Sequence, residues 1–438
     1  MLFLYNLLII VLGVFLFPVF LLIILSREKY RGRTLERLGL TVGKIRRKIP
    51  LPVAGAEKTP VIWLHALSVG EVTSALPFIK ELRTEMPEAF IVLTVATSSG
   101  KKTAENLLSS YVQVILSSPF DLRFAVRRYI KVFQPDCFIQ VETDFWPNWL
   151  DLLHEKGIPA MLVNGRISEK SFATYLRFGF FFRPMFCAFN LLSMQTAEDR
   201  RKMIELGVPP ARVLTLGNLK YDMKQPAYKR NKREGDEGKG GLNLLTAEKA
   251  QSLIWVCGST HPGEEEVLFA AFAQLLAQHT EQAFLVLAPR DIKRGQELVE
   301  KARSFGLAAG RRSREEEGEH VLILDTLGEL AQCYGQAHIA FVGGSLVPQG
   351  GHNPIEPALH GVPVLFGPHM EDFSEIADEL MASGGGKMVA APSLYETLAM
   401  LCGDARDRAQ MGKAAQDLVD RHRGGVQRHV LAVRGLLS

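Results

Sequence analysis

The chain is 438 residues long, too much for one ordinary core and enough for two large domains at roughly 150 residues or more each. With 47% hydrophobic and 22% charged residues it is globular, not disordered, collagen-like or a coiled coil, and five scattered cysteines without a CxxC pair argue against a disulfide framework or a zinc cluster and suit a reducing compartment. The net charge of +4 hides an asymmetry: Arg27 to Lys48 holds nine Lys or Arg against Glu28 and Glu36, a local +7, while the rest sums to −3, a pattern of an anionic membrane surface rather than of nucleic acid.

From Leu2 to Leu25 no residue is charged, and about 20 apolar residues suffice for a helix to cross the hydrocarbon core. The segment lacks the basic start and the small-residue cleavage site of a signal peptide, so residues 1–26 are expected to be an uncleaved membrane anchor. The basic stretch 27–49 would then hold the following chain on the cytoplasmic side. Past Pro50 the chain alternates short apolar runs with amphipathic stretches. VIWL at Val61, FIVLTV at Phe90, VQVIL at Val112, CFIQV at Cys137, AMLVN at Ala160, NLLSM at Asn190 and VLTLG at Val213 are expected strands of a mostly parallel sheet over 50–225. A charged, glycine-rich stretch without apolar periodicity marks a linker at 226–250. The rhythm resumes over 251–438 with LIWVCG at Leu253, AFLVLAP at Ala283, VLILD at Val321, HIAFVGG at His338 and VPVLFG at Val362. The expected fold is therefore α/β, two Rossmann-like domains facing a cleft, with ligands at the carboxyl ends of the strands.

The motifs fall at those strand ends. In WLHALSVGEVTSALP, Glu71 stands where a strand gives way to a helix, and the helix dipole favours its ionised form, which suits a general base as well as a plain first-turn acid. QVETDFWPNWL places Glu142 and Asp144 after a buried strand, with Pro147 opening a helix. No His or third acid stands nearby to complete a metal set. NGRIS offers Arg166 with hydroxyls, and GNLKYD offers Lys220 beside the linker. In the second half CGSTHPGEEE reads as strand, turn and acid-rich helix start, a turn whose amides could cradle a phosphate. APRD puts Arg290 at the next strand end. Gly343-Gly344-Ser345 ends a strand, and His352-Asn353-Pro354 opens a helix holding Glu356, an acid able to bind a ribose diol. GxGxxG, a complete P-loop, HExxH and GxSxG are absent, which argues against dinucleotide, ATP, zinc-protease and serine-hydrolase readings.

Taken in order, HALSVGEV, VETDFWPN, NGRIS, GNLKYD, GSTHPGEEE, DTLGEL, FVGGSLVPQGGHNPIEP and FGPH, behind the apolar start and its basic tail, resemble the 3-deoxy-D-manno-octulosonic acid (Kdo) transferases over essentially the whole chain. The resemblance implies a GT-B fold and transfer of Kdo from CMP-Kdo to a lipid A precursor, with inversion, in lipopolysaccharide assembly on the cytoplasmic face of the bacterial inner membrane. It implies Glu71 as the base, Ser68, Gly70, Glu142, Arg166 and Lys220 on the substrate, and Pro289, Arg290, Gly328, Gly344, Ser345, Asn353 and Glu356 on the nucleotide. No metal and no cofactor is expected, since lysine, arginine and a helix start can stabilise a single-phosphate leaving group. The sequence departs from the family pattern at Asp291, where a histidine is usual, at Asp144, where glutamate is usual, and at Gly165. The alternatives are a GT-B enzyme using a UDP-sugar on a lipid-linked acceptor, or a non-catalytic sugar-nucleotide scaffold.

Overall fold

The structure, a computed structural model, describes residues 2–9, 11–13, 15, 28–47, 59–142, 145–222, 252–278 and 283–437. It divides into two compact units, Met1–Met223 with Arg423–Ser438, and Lys224–His422.

The first unit is built on a parallel sheet of β1 (Val61–Ala66), β2 (Phe90–Val95), β3 (Val114–Ser117), β4 (Cys137–Val141), β5 (Ala160–Gly165), β6 (Leu191–Met194) and β7 (Val213–Thr215). The strands lie in the order β3-β2-β1-β4-β5-β6-β7. Helices cover both faces, so β1, β2, β4 and β5 are buried almost throughout, as their continuous apolar runs require. Beneath one face Trp63 packs on Phe138 and Trp149, ring centroids 5.1 Å apart in both pairs, and its Nε1–H donates to the Thr94 hydroxyl at 3.0 Å. The chain reverses its direction of winding between β1 and β4, the place where parallel sheets open a crevice for ligands.

The second unit repeats the plan with β8 (Leu253–Thr260), β9 (Ala283–Pro289), β10 (Ala309–Arg311), β11 (Val321–Ile323), β12 (Ile339–Val342), β13 (Val364–Phe366) and β14 (Gly386–Met388), ordered β10-β11-β9-β8-β12-β13-β14. Here the winding reverses between β8 and β12.

Two expectations change, and a third lies partly outside the described residues. The second domain does not run to 438, because the last helix, Gly425–Leu437, packs on the first unit. Its Val426, Val430 and Val433, at helical spacing, join the core that holds Phe78 and Ile79, and the Asp222 carboxylate takes the Gly424 amide at 2.6 Å and the Val426 amide at 2.5 Å at its start. A Cβ at Gly425 would lie 3.2 Å from the Leu216 carbonyl, so glycine permits the crossing. The expected anchor is helical at 2–9, 11–13 and 15, while 16–27 and the expected linker 226–250 lie outside the described residues. No helix among the described residues is long and apolar enough to cross a membrane. Finally, the basic stretch is not wholly a surface for lipid. In the helix Glu28–Arg37, Arg33 donates to the Ala96 carbonyl and the Ser98 hydroxyl, and Arg37 donates to the Ser118 carbonyl at 3.0 Å and covers the Phe120 ring. Glu36 takes the Ser117 amide and pairs with Lys101 at 3.1 Å. These charges tie the helix to the carboxyl ends of β2 and β3.

Candidate active site

In the first unit the reversal point gathers two carboxylates. Ser68 caps the helix Val69–Glu85, its hydroxyl accepting the Glu71 amide at 3.4 Å, and the Glu71 carboxylate reaches back to the Leu67 amide. This reciprocal arrangement resembles a capping box and fixes the orientation of Glu71, which is 8% exposed. Glu142, directly after β4, is held in the left-handed region at φ 59, a conformation uncommon outside glycine that tends to mark functional positions. Its Oε1 accepts from the Ser74 hydroxyl at 3.1 Å and from the Asn164 amide at 3.3 Å. Ser74 stands on the helix of Glu71, so one hydroxyl joins the two acids' elements. Asn164, itself at φ 58, also accepts the Leu219 amide at 3.0 Å, which binds the turn Leu219–Asp222 carrying Lys220 to the end of β5. Both left-handed residues therefore serve one network.

In the second unit the reversal point gathers imidazoles. His261 follows β8 and His352 follows β12, with Nε2 atoms 2.9 Å apart. One Nε2–H donates to the other ring, an arrangement open to two neutral histidines. Burial first, then Arg290, holds both below the usual imidazole range, His352 at about 4. The Arg290 amide donates to the Thr260 carbonyl at 2.9 Å, placing the residue at the end of β9. Asn353 donates to Glu356 at 3.4 Å and accepts the Ile355 amide at 3.1 Å. Burial pushes the Glu356 carboxyl up, opposed by the Asn353 bond and Arg290. The arrangement can present a guanidinium, two imidazoles and a carboxylate to a nucleotide.

A model of the family 3-Deoxy-D-manno-octulosonic-acid transferase (kdotransferase) matches residues 33–223. The 3-deoxy-D-manno-octulosonic acid transferase of Haemophilus influenzae is 31% identical over 412 residues, covering 93% of this chain and 92% of that protein. This chain belongs to the 3-deoxy-D-manno-octulosonic acid transferase family. The transferase of the same description from Bordetella pertussis is 30% identical over 411 residues, with 90% and 91% covered. The chain is accordingly an enzyme, a glycosyltransferase of the Kdo transferase type. Among solved structures, the UDP-GlcNAc 2-epimerase of Neisseria meningitidis bound to UDP-GlcNAc superimposes with a TM-score of 0.58 at 12% identity, over 85% of this chain and 100% of that one. MurG of Acinetobacter baumannii gives 0.52 at 14%, over 86% and 100%. These likenesses show the fold, two parallel-sheet α/β units of the GT-B kind.

Within this transferase the expected substrate residues Ser68, Gly70, Glu142, Arg166 and Lys220 all belong to the first unit, at or beside the ends of β1, β4 and β5 and in the turn Leu219–Asp222. Asp144 lies outside the described residues. Of the expected nucleotide residues, Pro289 ends β9, Arg290 follows it, Asn353 and Glu356 follow β12, and Gly328 occupies an exposed turn after β11 at φ 87. Gly344 and Ser345 stand in the loop directly after β12. Their loop's amides are already taken: the Glu264 carboxylate accepts from Gly344, from Leu346 at 3.2 Å and from His261 at 2.9 Å. Ser345, fully buried, bonds the Val342 carbonyl and the Gly367 amide at 2.5 and 2.8 Å. The anion that fills this amide nest belongs to the protein. Asp291 caps the turn Ile292–Arg294 through the Lys293 amide at 3.1 Å.

Sequence reasoning passed over Ser74, Asn164, His261, Glu264 and His352 as site residues. The three successive glutamates read only as an acid-rich helix start, yet Glu264 and Glu265 are fully buried, and Glu265 binds Arg294 at 2.7 Å. Only the unmatched acidity of that start beside a glycine turn could have signalled it.

Proposed function

We propose that this transferase moves Kdo from CMP-Kdo to a lipid A precursor, with inversion, the first unit holding the acceptor and the second the donor. The observation that carries this reading is the oriented, nearly buried Glu71 at the reversal point of the first sheet, one hydroxyl removed from Glu142. Glu71 takes the proton of the attacking acceptor hydroxyl. The hydroxyl oxygen bonds to the anomeric carbon of Kdo as the bond from that carbon to the phosphate oxygen breaks, and its electron pair leaves with CMP. As negative charge grows on the phosphate, Arg290 offers positive charge and the neutral His261–His352 pair an N–H donor to it. Lys220 pairs with the Kdo carboxylate, and Glu142, held by Ser74 and Asn164, fixes a sugar hydroxyl. No step calls for a metal, because the leaving group is a single phosphate. The protein works at the cytoplasmic face of the bacterial inner membrane, held there by its apolar N-terminal segment.

The test is mass spectrometry of a tetraacylated lipid A precursor incubated with the full-length, detergent-solubilised protein and freshly generated CMP-Kdo, with and without EDTA. Kdo addition that survives EDTA is expected, and its multiplicity gives the number of transfers. No addition in the presence of demonstrable CMP binding overturns the acceptor assignment.

A further inference from the structure

The apolar segment Leu2–Leu25 contains two polar side chains, Tyr5 and Asn6. In lipid an unpaired hydroxyl or amide is costly, and here both are paired with protein. The Tyr5 hydroxyl donates to the Asp121 carboxylate at 2.7 Å and its ring meets Phe181, while the side-chain amides of Asn6 and Asn148 exchange two hydrogen bonds of 2.9 Å. Asn148 is fully buried and donates in turn to the Asp121 carbonyl at 2.7 Å, and its own amide reaches the Asp121 carboxylate at 3.1 Å. The start of the chain is thus latched to the first unit, with Phe3, Leu4, Leu8 and Phe15 left exposed.

Behind the latch lies a cavity of about 300 Å³ against the helices Pro147–Glu155 and Gly179–Cys187, at the small end of ligand sites. Leu2, Pro147, Leu150, Pro184, Met185 and Ala188 form most of its wall. Of its polar neighbours, Asp151 is paired with Arg123, so the cavity presents no unpaired acid to repel a hydrocarbon. Its wall helix, Pro147–Glu155, starts five residues beyond Glu142, so the strand end that carries the candidate acceptor carboxylate also launches the apolar wall.

We propose that this cavity binds one saturated acyl chain of the lipid acceptor, and that Tyr5 and Asn6 hold its wall in place. The identity of the occupant rests on the lipid acceptor proposed above; the existence of the site does not. An apolar wall next to exposed apolar helix suits methylene groups, and each one buried should tighten binding roughly fourfold.

The experiment is photolabelling of the full-length protein in detergent with a saturated fatty acid bearing a diazirine near its methyl end, read by peptide mass spectrometry. Label is expected on 147–154 and 184–188, at least fivefold weaker in Ala188→Trp, which fills the cavity, and in Tyr5→Phe/Asn6→Leu, which keeps the segment apolar but removes the latch. Label confined to residues 2–15, or unchanged in both variants, overturns the site. The tetraacylated precursor should displace the label at concentrations where a diacyl phospholipid does not; equal displacement by the phospholipid overturns the acceptor as occupant. Failure of Kdo transfer would be read separately, as absent turnover, with the labelling pattern unaffected.

Discussion

Lowering the pH from 7 to about 5 should loosen the C-terminal helix Gly425–Leu437 through one residue, His429. Its ring is fully buried. Nδ1–H donates to the Gly425 carbonyl at 2.7 Å, and Nε2 accepts from the Ser193 hydroxyl at 2.7 Å, so the neutral ring is satisfied, while charging it would force the Ser193 hydroxyl to turn from donor to acceptor and leave the charge buried. Burial lowers its pKa from 6.5 to about 4, reinforced by Arg428 and opposed by the Gly425 bond and by Asp222. Because the folded value lies below the unfolded one, the unfolded chain takes up the proton first as the pH falls. Stability is therefore intact above pH 6.5, declines by about 1.4 kcal/mol per pH unit down to about 4, and is level below that. At about pH 5 the loss is about 2 kcal/mol, a rise of roughly thirtyfold in the population of the undocked helix. Hydrogen exchange of 425–437 against pH, corrected for intrinsic exchange, reads this directly in the wild type and in His429→Gln. The variant should start weaker at pH 7 and lack the extra slope between about 6.5 and 4. Parallel pH profiles for the two proteins would refute the assignment of that slope to His429.

Glu71→Gln should retain CMP binding while reducing turnover at least a thousandfold, because it removes a base and leaves the nucleotide residues intact; wild-type-like kcat would end the base assignment. Asp222→Ala removes the acceptor of two helix-start amides and should cost about 2 kcal/mol, seen as faster exchange in 425–437 with the second unit unaltered. Glu264→Gln replaces one of two carboxylate oxygens by a donor facing amide N–H groups, and CMP affinity measured by calorimetry should fall about tenfold; unchanged affinity would show that the loop Gly344–Leu346 keeps its shape without the charge. Gly344→Ala must hold φ 69, costing about 1–2 kcal/mol, and its Cβ would stand 3.2 Å from the His352 ring, so weaker CMP binding is expected together with shifted His261 and His352 resonances.

The strands most legible in the sequence are the central ones. VIWL, FIVLTV, CFIQV and LIWVCG announce themselves because a strand covered on both faces must be apolar without interruption, and that is a property of the residues alone. The edge strands β10 and β14, AGR and GKM, carry no such mark; they pair because a neighbouring strand offers a ladder, which is a fact of the folded chain. Motif position was also legible, since the end of an apolar run fixes where Glu71, Glu142 and Arg290 must stand, the first with a capping serine before it. What the sequence could not give is the assignment of partners. Nothing local distinguishes Glu264, whose carboxylate fills the amides of a loop eighty residues away, from its neighbour Glu266, which reaches a lysine on the next helix. Nor could periodicity tell that Gly425–Leu437 would cross back to the first unit, because an amphipathic helix specifies only that one face be covered. Which surface covers it, and which amides a buried carboxylate neutralises, is decided by long-range packing and by the cost of leaving a buried polar group unpaired.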